Sequence, residues 1–180
     1  MLKHSLIALA LILPISSYAA PKAEAKTTSN SPFTKARNQA AGNLSTSIVT
    51  MQKMVNLCAN NSNREKIKTS TSDWQTRNKA FLKMHYGYVT ALIESVQETA
   101  SEEELKKFKE NLVKVNNENA NTIIKTLVDK DGQELACEKY FTYLDGGEMD
   151  IKQGKPDYAT LKEMLDFANK TPTEKPAKKK

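Results

Sequence analysis

The sequence predicts an all-α protein, a helical bundle of four to five helices closed by one disulfide, Cys58–Cys137. Three observations predict it. Apolar residues recur at steps of three and four along nearly the whole chain. No segment combines strand alternation with turn signals. The chain also carries two cysteines behind a segment that reads as an export signal.

That signal occupies residues 1–19. Lys3 supplies a positive start, Leu6–Ile15 an apolar run, and Ser17-Tyr18-Ala19 the small residues that precede a cut. The run is shorter than the roughly 20 apolar residues that cross a bilayer. The protein is therefore expected to leave the cytoplasm and work in the periplasm or outside the cell, where disulfides persist. Residues 20–33 are small, polar and bounded by prolines, and read as a flexible leader. The folded domain is expected over 34–169. Residues 170–180 read as a disordered basic tail, with five lysines against one glutamate. Such a tail offers weak electrostatic contact with anionic surfaces. Export makes nucleic acid an unsuitable partner, despite the formal net charge of +6.

The first helical segment places Ala41, Leu44, Ile48, Met51, Val55 and Cys58 on one stripe. It ends at Asn60–Asn63. In the second, Ile67, Trp74, Phe81 and Tyr88 recur every seven residues, and Leu92 and Val96 extend the face. Two capping boxes offer starts, Ser62 with Glu65 and Ser72 with Gln75. The short polar residues of Thr69–Asp73 compete with helix, so the segment is either one helix from about 63 or is broken near 70. Gly87 inside it marks a close helix approach. The third segment starts at a Ser101/Glu104 capping box and stops at Gly132. It carries Leu105, Phe108, Leu112, Val115, Ile123 and Leu127 inward. A fourth, short segment holds Leu135, Cys137, Tyr140, Phe141 and Leu144 before Gly146-Gly147. A loop over 147–156 leads to a last helix opened by Pro156-Asp157. The short link between the second and third segments makes them antiparallel neighbours.

The candidate site lies on the second segment. Trp74, Arg77, Asn78, Phe81, His85 and Tyr88 share one broad face, where polar groups beside aromatics could frame a small-ligand pocket. Against this stands a structural reading. The aromatics are core, and Arg77 and His85 either keep their heads in water or are satisfied by Asn119 of the third segment. His85 has no adjacent carboxylate to orient it as a base. The carboxylates Asp145, Glu148, Asp150 and Asp157 around Gly146-Gly147 form a loop that could hold a hard cation, but such loop carboxylates read first as solvated. Asp129–Gly132 does not fit a calcium loop, whose glycine stands sixth and glutamate twelfth. Asn43-Leu-Ser45 and Asn60-Asn-Ser62 match the glycan acceptor pattern by chance.

No glycine-rich phosphate loop, serine elbow, HExxH or CxxC is present. The residues name no catalytic group, no metal and no cofactor, and the reading leans away from an enzyme. The expectation is an exported, non-enzymatic binding protein acting on another envelope or secreted protein, of the inhibitor, immunity or adaptor type. The alternative is a periplasmic small-ligand binder using the Trp74–Tyr88 face.

Overall fold

Thr34 starts the first helix by turning its hydroxyl onto the amide of Arg37, 3.2 Å away, which satisfies one of the orphan donors there. The structure, a computed structural model, describes residues 32–170. The signal segment 1–19, the leader up to residue 31 and the tail from 171 onward lie outside the described residues. Six helices follow in order: α1 (Lys35–Cys58), α2 (Arg64–Arg77), α3 (Lys79–Gln97), α4 (Glu102–Asp131), α5 (Gln133–Asp145) and α6 (Tyr158–Lys170). No strand occurs among the described residues. None of these helices is long and apolar enough to cross a membrane.

The helix count exceeds the four to five expected because the second segment divides. The division is not near residue 70. Ser70, Thr71 and Thr76 each turn the hydroxyl back onto the carbonyl four residues earlier, so their side chains spend their bonding capacity within the helix. The break falls at Asn78, which leaves the helical region with φ −102° and ψ 9°. Neither expected capping box starts α2. Its N-cap is Asn63, which makes no side-chain capping bond, and Asn60 shapes the turn before it, where its side-chain oxygen accepts from the amides of Ser62 and Asn63 and from the Ser62 hydroxyl.

The start of α4 follows its sequence closely. Ser101 and Glu104 cap each other reciprocally. Those hydrogen bonds from Ser101, backbone first, hold the Glu104 carboxyl below its ordinary range. Gly132 ends the helix at φ +76°, a conformation that favours glycine.

Two apolar clusters share α1 as their spine. One joins Met51, Met54 and Cys58 to Ile67 and Trp74 of α2 and to Tyr140, Phe141 and Leu144 of α5. The Cys58–Cys137 disulfide closes this end, tying the last residue of α1 to α5 with Cα atoms 5.6 Å apart. The other cluster joins Ala40, Ala41 and Leu44 to Met84 of α3 and to Leu161 and Met164 of α6. The α3–α4 end differs. No residue from 86 to 119 is buried.

Candidate functional site

Trp74 is buried, and its indole N–H donates to the carbonyl of Met149 at 2.9 Å. That carbonyl belongs to the 146–157 strap between α5 and α6. Arg77, one turn later, reaches the same strap. Its Nε donates to both Asp150 oxygens, at 3.2 and 2.9 Å, and its Nη2 donates to the Leu144 carbonyl at 2.6 Å. The bond to Leu144 places a cation at the C-terminus of α5, where the helix dipole favours it, on a carbonyl that also accepts from the Gly147 amide. Asn78 is 2 % exposed. Its amide donates to Trp74 O and Asp150 Oδ1, and its Oδ1 accepts from the Ile151 amide at 2.8 Å. The side-chain carbonyl and both amide hydrogens of Asn78 are thus engaged, which is why the chain kinks there.

The strap is shaped to receive these bonds. Gly147 has φ +71°, and a Cβ there would stand 2.9 Å from Asp150 Oδ2. Glycine is what leaves Asp150 room beside Arg77. Asp150 is therefore not the solvated loop carboxylate the sequence suggested. Partial burial and two side-chain partners hold it, because Arg77 and Asn78, more than 70 residues away in the chain, converge on it. Glu148 pairs with Lys155. Asp157, at φ 61°, accepts from Asn43 at 2.8 Å. No cluster of three metal-ligating side chains occurs among the described residues.

His85 sits apart from this group, at the joint of α3 with α1. Its Nε2 lies 2.8 Å from Ser45 Oγ and 3.1 Å from the Ala41 carbonyl. With the proton on Nε2, the ring donates to the Ala41 carbonyl and Ser45 Oγ shares that proton. An Nε2 protonated in this way does not draw the Ser45 proton, so the pair is not poised as nucleophile and base. Burial lowers the imidazole below its ordinary value of 6.5, and the Ala41 carbonyl opposes that shift. Tyr88 donates to Asn38 Oδ1 at 2.6 Å and stacks edge-on with Phe33, 5.5 Å between centroids. Burial pushes its hydroxyl up to about 12, with the Arg37 charge pulling the other way. Phe81 meets Tyr158 of α6 at 6.1 Å.

The structure thus brings Trp74, Arg77 and Asn78 together around the strap, and His85 and Tyr88 together against α1. Asn119 partners neither group. It is exposed on α4, while Asn116, three residues earlier, accepts from Thr46 of α1 at 3.0 Å. Two open hollows flank α2. One, of about 500 Å³, is lined by Glu65, Asp73, Arg77 and Asp145 among others, and the second, of about 450 Å³, by Gln75, Lys79, Leu82 and Lys83 among others. His85 and Tyr88 line neither. Three partners could not be assigned from the sequence: Asp150, Ser45 and Asn116. Each lies at least 40 residues from its partner in the chain.

No family model matches the chain, and no curated protein or solved structure is significantly similar to it.

Proposed function

We propose that this chain is an exported, non-enzymatic binding protein that acts on another envelope or secreted protein, as an inhibitor, immunity factor or adaptor. One observation carries the reading. The α3–α4 hairpin carries apolar residues among charged ones and buries none of them fully from residue 86 to 119. On α4, which has Ala120 as its one buried residue, Val113 is 63 % exposed and Val115 36 %. A hairpin that leaves apolar side chains in water offers contact area to a second protein. The polar groups of the Trp74–Tyr88 face are engaged within the chain, which favours a protein partner over a small ligand there. A disulfide in a helical chain is compatible with export.

The test is capture from an envelope extract by the exported protein and by a Val113→Asp variant, both at moderate salt. A protein retained by the first and lost by the second supports the reading. No retained protein, or retention indifferent to Val113→Asp, contradicts it.

A further inference from the structure

The solvent stripe of α3 is built against the interests of an isolated helix. Lys79 and Lys83 stand four residues apart near its N-terminus, and Glu94 and Glu98 stand four apart at its C-terminus. Like charges at that spacing repel. Both pairs also oppose the helix dipole, which favours acids at the start and bases at the end. All four are exposed, and no ion pair engages any of them among the described residues. Between them lies Gly87, exposed in mid-helix, where glycine is unfavourable relative to alanine. Among the described residues nothing comes within 4 Å of a Cβ placed there, so none of the six helices makes the close approach that the sequence suggested. Beside it Tyr86 is 76 % exposed, and Thr90 and Ala91 complete the stripe.

These features become mutually consistent under one operation. A two-fold axis passing between Tyr88 and Val89 lays α3 antiparallel on a second α3. Position 83 then faces 94, 79 faces 98, 86 faces 91 and 87 faces 90. Each lysine meets a glutamate. The two helix dipoles oppose. Tyr86 meets the small Ala91, and Gly87 lets the backbones approach. The contact is isologous, as in most closed dimers.

We propose that α3 is a self-association surface, and that two copies of this chain pair antiparallel through it. A helix of 19 residues is about 28 Å long. One such contact falls below the roughly 1,000 Å² of a permanent interface, so the dimer is weak and reversible, with a dissociation constant on the order of 100 μM.

The experiment is sedimentation equilibrium of the exported protein between about 20 μM and about 1 mM, concentrations that bracket that constant. Mass should rise toward the dimer and fall back when salt screens the charges. Lys83→Glu alone, or Glu94→Lys alone, should weaken the dimer by about tenfold, because the two-fold repeats each repulsion. An equimolar mixture of those two variants should restore it, since each lysine again faces a glutamate. Circular dichroism of both variants should match the parent, as both positions are exposed. A monomer throughout the range overturns the proposal. So does a dimer indifferent to Lys83→Glu, or a mixture no tighter than either variant alone.

Discussion

Replacing both bridge cysteines by alanine should lower stability by about 4.5 kcal/mol. The number comes from the sequence separation of 79 residues, whose closure removes that much unfolded-state entropy in the chain-entropy model. It is a large share of the roughly 5–15 kcal/mol that stabilises an ordinary domain. The native joint has contacts besides the bridge. Cys58 lies inside an apolar cluster with Met54, Ile67 and Tyr140. Gln133 also donates across the same joint to the Leu57 carbonyl at 3.3 Å. The Cys58→Ala, Cys137→Ala protein should therefore fold, and unfold in urea at a midpoint lower by about 2–3 M. Equilibrium urea titration followed by circular dichroism reads this directly. A midpoint within about 0.3 M of the parent would refute the reasoning, because the bridge would then restrain nothing that the packing does not already hold.

Three further outcomes are expected. Tyr140→Phe should leave stability unchanged or raise it by about 1 kcal/mol, because the Tyr140 hydroxyl is buried with no hydrogen-bond partner among the described residues and burial pushes its pKa upward; a clear loss in urea titration would mean that the hydroxyl has one. Stability should fall as pH drops from 6.5, since burial lowers the folded-state value of His85 and the unfolded chain takes up the proton first. The contribution is whole above 6.5 and lost toward the lower folded value, and a His85→Gln variant should lack that part of the slope when midpoints at pH 7.5 and 5.5 are compared. Gly147→Ala should cost about 1–3 kcal/mol in thermal or urea unfolding, from φ +71° and the 2.9 Å approach to Asp150; an unchanged midpoint would show that the strap relaxes freely.

What could be read from the sequence was what neighbours in sequence decide. The Ser101/Glu104 cap, the Gly132 stop and the stripe of α1 all follow from spacings of a few residues, and the structure repeats them. The bridge was legible because two cysteines allow one pairing. The break at Asn78 was not, because it depends on Asp150 and Ile151, more than 70 residues on in the chain. The run Thr69–Asp73 misled for a related reason. Short polar residues weaken a helix when they compete for its backbone, but here Ser70 and Thr71 bond back along the helix and Ser70 is buried. The candidate residues were expected on one helical face, but the kink at Asn78 divides them between α2, at the strap, and α3, against α1. Asn119 was expected to meet Arg77 or His85 and meets neither, because those side chains are satisfied by the strap and by α1, while the polar contact of α4 is made by Asn116 with Thr46 of α1.

The central claim is that the polar residues of this face latch the strap to the α2–α3 junction. A double-mutant cycle on Arg77→Ala and Asp150→Ala tests it most directly. The pair is partly exposed, with side chains 36 % and 19 % accessible, so screening limits the coupling to about 1 kcal/mol. A coupling of that size, weakened in high salt, is the expected result. Additive losses, with no interaction between the two sites, would contradict the latch.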